Sequence, residues 1–134
     1  MTTVARTATS PSAAGAAILT GHAVTDSGTA TSQISDTDQA TTQAVYTLGI
    51  ALQDCAAGDI PTIAVAGDEI PFVASGAVAI GDLLVAKYSA TASVAGALMA
   101  VTSHLTGDVI VGICTKGAAD TKTGMCRFVG HPTK

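Results

Sequence analysis

Residues 46–75 read YTLGIALQDCAAGDIPTIAVAGDEIPFVAS, and the rhythm of this stretch decides the fold class. Short β-prone runs alternate with turn chemistry. Tyr46 to Gln53 gives the first run and ends at a DCAAGD loop containing Gly58. Ile60 to Ala66 gives the second, Gly67-Asp68 a tight turn, and Glu69 to Ser75 the third. The second and third are expected to form a hairpin, because glycine supplies the positive φ that a two-residue turn needs. Pro61 stands second and Pro71 third in its run. A missing N–H is tolerated there, at a strand start or a sheet edge.

The same pattern continues downstream through Asp82 to Lys87, Leu98 to Ser103, Asp108 to Thr115 and Gly124 to Gly130. Strand-like runs at this regular spacing are the signature of an all-β protein. Gly-Asp recurs at Gly58-Asp59, Gly67-Asp68, Gly81-Asp82 and Gly107-Asp108, each time opening or preceding a run, as good turn chemistry should. Ala92 to Val101 has some helical propensity, but Gly96 and the valines argue against a helix. Upstream, residues 1–12 and 25–44 are rich in Thr, Ser and Ala, and Ile34 is the one large aliphatic residue of the second stretch. Such segments read as arms or long loops. Ala16 to Thr25, with Gly21 inside, has room for one short strand and a turn. The expected organisation is a flexible N-terminal arm over residues 1–14 and a single β domain over 15–134, interrupted by a polar loop or arm at 25–44.

An internal echo runs through the chain. Leu48-Gly49-Ile50-Ala51 matches Val111-Gly112-Ile113-Cys114 at an offset of 63 residues, which also pairs Ala56 with Ala119 and Gly67 with Gly130. Gly21-His22-Ala23-Val24 resembles Gly81-Asp82-Leu83-Leu84 at an offset of 60. A duplicated β unit is compatible with these matches, although a chain this rich in Gly and Ala produces some by composition.

Composition narrows the function. The chain has 134 residues, 48% of them hydrophobic, 12% charged and 3% aromatic, with no Trp and a net charge of -4. That apolar content argues against wholesale disorder. Six Lys and Arg leave no basic face to displace counterions from nucleic acid, and few aromatics are present to stack on single strands. No run approaches the roughly 20 apolar residues of a membrane-spanning helix. Ala13 to Leu19 follows Pro11 and has only Arg6 before it, a poor match to a signal peptide. Neither nucleic acid nor membrane is therefore an expected partner.

Catalytic constellations are hard to find. His22, His104 and His131 are widely spaced, without the close pairs of metal sites. Asp36 and Asp38 lack the continuation of a calcium loop and read as solvated charges. Nucleophile-elbow, Walker A and dinucleotide fingerprints do not occur. Asp68-Glu69 reads as a hairpin tip rather than a carboxylate pair in a cleft. Cys55, Cys114 and Cys126 contain no CxxC and read as small buried side chains, but Cys114 and Cys126 fall in consecutive strand runs, so a pairing between them stays open. No catalytic, cofactor-binding or metal-binding residue is assigned, no cofactor is expected, and the chain reads as a non-enzyme.

The order of its parts gives the chain a resemblance. VYTLGIALQDCAAGDIPTIAVAG (45–67), VASGAVAIGDLLVAK (73–87) and DVIVGICTKGAADTKTGMCRFVG (108–130) together resemble the small capsid decoration, or cement, proteins of tailed bacteriophages. The matching positions are Leu48 to Leu52 with Ala56 to Gly58, then Gly67, then Gly76 to Val85, then Val111 to Cys114. Ile18 to Val24 looks like the opening strand of that family. The likeness covers residues 45–130 well and 15–25 loosely; the 25–44 insert and the N-terminal arm depart from it. The resemblance implies a small β-barrel-like or β-sandwich-like domain. It further implies a homotrimer at three-fold positions on the outer capsid surface of a phage head, made in the host cytoplasm and bound to the major capsid protein. Oligomerisation suits a small-residue β domain with few large apolar side chains. Residues 1–14 and 25–44 are the expected contacting segments.

Other classes share the composition. A tail or head-tail component, or a head fibre, would look much the same. A carbohydrate-binding β module would expose aromatics, whereas Tyr46, Phe72, Tyr88 and Phe128 all lie within or at the end of strand-like runs.

Overall fold

The computed structural model describes residues 6–9, 12–26, 30–34, 47–87, 89–101 and 110–128. Among them every regular element is a strand, and the fold is all-β. The strands are β1 (Arg6–Thr9), β2 (Ala23–Asp26), β3 (Thr31–Gln33), β4 (Gly49–Ala51), β5 (Thr62–Val73), β6 (Leu83–Ala86), β7 (Leu98–Ala100), β8 (Ile110–Lys116) and β9 (Thr123–Phe128). Their spatial order is β3-β2-β4-β5-β9-β8-β6-β7, with β1 also on β5, and every strand pair is antiparallel.

The hairpin expected at Gly67-Asp68 does not form. Residues 62–73 run as one 12-residue strand, β5. The Gly-Asp pair serves a bulge instead: Gly67 faces Phe128 and Ile70 faces Cys126, so β5 carries one extra residue there. Gly67 takes a φ of 140°. The residue chemistry that closes a turn also suits a bulge, and the deciding factor is the partners available on either side. Before the bulge β5 pairs with β1 and β4; after it, with β9. Gly58 and Gly81, at φ of 90° and 92°, do occupy turns as their Gly-Asp pairs predict. Gly107-Asp108 lies outside the described residues.

That change of partners divides the chain into two equivalent five-stranded units. In the first, β1, the first half of β5, β4, β2 and β3 lie side by side; in the second, the latter half of β5, β9, β8, β6 and β7 repeat the order. The registers superpose residue by residue. Val24 opposite Gln33 becomes Leu84 opposite Ala100, and Ala23 opposite Ile50 becomes Leu83 opposite Ile113. Ala51 opposite Ile63 becomes Cys114 opposite Cys126. Loop hydrogen bonds repeat as well. Ile18 and Cys55 exchange backbone bonds of 2.8 and 2.9 Å, as do Val78 and Ala118 at 2.9 and 3.0 Å. The offsets of 60 and 63 residues visible in the sequence are therefore structural, while β3 and β7 are related by 67 because the connections before them differ in length.

The two units do not stack symmetrically. Ala14, Ile18, Val24, Ala51 and Ile63 form one small core on the inner face of the first unit. Their counterparts Ala74, Val78, Leu84, Cys114 and Cys126 belong to a larger core, shared with Ala23, Ile34, Ile50 and Ala64 from the opposite face of the first unit. Phe72, fully buried, is the largest side chain at this junction. Alanines and cysteines among the core residues permit close approach of the layers, which dense packing requires.

Two boundaries shift. Arg6–Thr9, within the expected N-terminal arm, lies along β5, and Ala14 is buried, so part of residues 1–14 belongs to the sheet and core. In the expected 25–44 loop, Thr31–Gln33 is a strand, and Thr31, Gln33 and Ile34 are buried. Ile34 is buried just after this strand, its N–H donating to the Ala23 carbonyl at 3.1 Å. Residues 35–46 lie outside the described part.

Candidate interaction face

Duplication makes each unit a control for the other. Across β2, β4 and β5 of the first unit, Ala23, Ile50 and Ala64 stand in register and are fully buried, with Ile34 beside them. The second unit presents Leu83, Ile113 and Arg127 at the same places. Here Leu83 is 38% exposed, Ile113 half-buried and Arg127 exposed. The face covered in the first unit is open in the second.

The inner face of the second unit covers these residues in the shared core, and the connection between β6 and β7 docks beside it at Ala23. The Ala23 N–H donates to the Gly96 carbonyl at 2.7 Å, and a Cβ on Gly96 would lie 2.6 Å from the Ala23 oxygen. Two buried polar side chains fix this docking. His22 Nδ1 bonds the Ala95 carbonyl at 2.7 Å, which a neutral ring protonated on Nδ1 satisfies. Gln33 donates through Nε2 to Ala92 and Ala95 carbonyls at 2.8 and 3.0 Å and accepts from the Leu19 N–H through Oε1. Burial holds the His22 pKa below its ordinary value, against the opposing pull of the Ala95 carbonyl and of Asp54. His22 lies in the loop just before β2 and acts there as a buried strut. The second unit carries Asp82 and Ala100 at the equivalent positions and has no such clamp. That asymmetry within the repeat was the available sequence signal.

The turn before β6 exposes a further apolar side chain. Ile80 is 75% exposed, the most exposed large apolar side chain described, three residues before Leu83. At the equivalent place in the first unit, the Thr20 N–H and hydroxyl both donate to Asp54 Oδ1 at 2.9 Å. A polar lock in one unit is thus an exposed isoleucine in the other. Ile60, 50% exposed, is a further large apolar side chain open to solvent among the described residues. Clustered exposed apolar residues mark contact surfaces more often than scattered ones.

Among the described residues no cluster of three or more His, Cys, Asp and Glu side chains is arranged to hold a metal, and no helix is long and apolar enough to cross a membrane. His104, His131, Asp36, Asp38, Tyr46 and Tyr88 lie outside the described residues. Phe72 is core and Phe128 packs half-buried against it, so neither offers a sugar-stacking platform.

No protein-family model and no curated protein matches the chain. Among solved structures, the N base of the head fibre protein gp8.5 of bacteriophage phi29 is similar along nearly the whole chain. The TM-score is 0.59 at 13% identity, over 98% of this chain and 99% of that one. The likeness is one of fold. It spans both units, so the duplicated arrangement as a whole has a solved counterpart.

Proposed function

We propose that this chain is a structural protein of a tailed-phage virion, attached to the outside of the head as the base of a head fibre or as a decoration protein. One observation carries the reading: the fold is similar to that of a phage head-fibre base over 98% of this chain and 99% of that one. That match favours the head-fibre form over the cement form. The ordered Gly, Ala and Val blocks of residues 45–130 favour the decoration family. Both forms share the same work, which is non-catalytic binding to the major capsid protein.

The binding unit in this reading is a homotrimer. Support comes from the open face of the second unit around Leu83, Ile113 and Ile80, whose equivalent in the first unit is covered within the same chain. A trimer contacts several shell subunits at once, so modest individual contacts sum to slow dissociation. The segments proposed to contact neighbouring shell subunits are residues 1–14 and 25–44, both rich in Thr, Ser and Ala.

The test mixes purified protein with expanded heads stripped of surface proteins and images them. Added density at three-fold positions over the whole shell supports the decoration form. Sparse projecting density on the head supports the fibre base. Heads left bare by a protein that is folded and trimeric by light scattering would overturn both.

A further inference from the structure

Cys114 and Cys126 face each other across β8 and β9 as direct register partners. Both are free and buried. The hydrogen bonds around them define the geometry more closely. The Cys114 N–H donates to Asp82, and its carbonyl accepts from Gly81, so both backbone groups point toward the β6 side. Toward β9, Cys114 and Cys126 are therefore a non-hydrogen-bonded antiparallel pair. Such pairs bring Cα atoms to about 4.5 Å with side chains close together. A disulfide needs Cα atoms about 4.4–6.8 Å apart.

Both side chains lie on the inner face, alternating with outward Ile113 and Arg127. A Cβ on Gly112 would lie 3.4 Å from Cys126 Sγ, so the thiol rests beside a residue without a side chain. The first unit fills the equivalent pair with Ala51 and Ile63. The fold itself thus has no need of sulfur here.

We propose that Cys114 and Cys126 are a modification site, a cross-strand dithiol that a small disulfide oxidant converts into an intramolecular disulfide fastening β8 to β9. The Cys114 thiolate attacks one sulfur of glutathione disulfide, breaking its S–S bond and releasing one glutathione. The Cys126 thiolate then displaces the second glutathione from Cys114 Sγ. The two cysteines lose two protons and two electrons, and the oxidant is reduced to two thiols. Exchange requires thiolates, and burial opposes them: the Cys126 thiol is pushed up to about 12 by desolvation and by its neighbour Cys114. The pair stays reduced through brief exposure and closes slowly, faster as pH rises. Cys55, half-buried in a first-unit loop, is the competing thiol. This inference rests on register alone and holds whatever surface the protein binds.

The experiment uses the full chain carrying Cys55→Ser, incubated with excess glutathione disulfide at pH 8 without denaturant. The expected product has lost two hydrogens by intact mass, carries no glutathione, and yields a linked peptide pair containing residues 114 and 126. Its thermal midpoint rises by about 5–10 °C and returns on reduction. Cys126→Ala in the same background accumulates no such product. Two free thiols remaining after the unfolded chain has fully oxidised would overturn the proposal. So would a stable glutathione adduct on Cys114, or, in the unsubstituted chain, Cys55 as the preferred partner of either cysteine.

Discussion

Thr121 occupies in the second unit the place that Gly58 holds in the first. The Gly58 N–H donates to the Ala14 carbonyl at 2.8 Å, and the Thr121 N–H donates to the Ala74 carbonyl at 2.9 Å. Both adopt left-handed backbone, at φ of 90° and 69°. Glycine takes that conformation freely, whereas a β-branched residue is strained in it. Replacing Thr121 with Gly should therefore stabilise the protein by about 0.5–1 kcal/mol, the relief of strain exceeding the added entropy of the unfolded chain. Gly58→Ala should cost about 1 kcal/mol despite open space around it. Denaturant titration of both variants checks the pair, and a destabilised Thr121→Gly would contradict the equivalence.

Gly49 and Gly112 are a second matched pair. A Cβ on either would stand 2.6 Å from a carbonyl oxygen across the ladder, that of Ala64 or Arg127. Backbone cannot yield as a side-chain tip can, so Gly49→Ala and Gly112→Ala should each cost about 1–3 kcal/mol. Equilibrium unfolding should show similar losses for the two, since the registers around them are the same.

His22 gives the stability a pH dependence. Unfolded, the ring takes up a proton near 6.5; buried beside Ala95, it resists doing so. The unfolded state then binds more protons as pH falls through that range, so stability drops below about pH 6.5 and levels once the folded ring is protonated as well. Asp54, held below the ordinary carboxylate range by the Thr20 backbone and hydroxyl donors, acts in a separate window. Its contribution is present at neutral pH and is lost only in stronger acid. Thermal midpoints measured between pH 8 and pH 5 should fall for the native chain and change less for His22→Gln.

Ile80 tests the open face directly. At 75% exposure its replacement by Asp should leave folding stability within about 0.5 kcal/mol. If the face packs against a second copy, a buried charge there weakens self-association at least about tenfold. Light scattering across a concentration series reads the change, and an unaltered oligomer mass would place the contact elsewhere.

Much of this architecture is legible along the chain. The run from Tyr46 to Ser75, with its regular punctuation, is enough for an all-β fold, because period and turn chemistry are local properties. The echo of Leu48-Gly49-Ile50-Ala51 in Val111-Gly112-Ile113-Cys114 likewise carries the duplication, since equal registers need glycine where Gly49 and Gly112 meet a facing carbonyl. What local chemistry leaves open is the choice between equivalent outcomes. Gly67-Asp68 fits a turn or a bulge, and only the presence of β4 on one side and β9 on the other selects the bulge. Ile34 looks isolated in a polar stretch until Ala23 is placed beside it. Leu83 and Ala23 occupy equivalent positions in equivalent strands, yet one is open and the other covered. That difference arises because the second unit packs its inner face on Ala23, with the β6–β7 connection bonded beside it by contacts between residues some 70 positions apart. Sequence determined that the chain is built of strands and that a unit of them comes twice, while the packing of one copy on the other decided which face remained free.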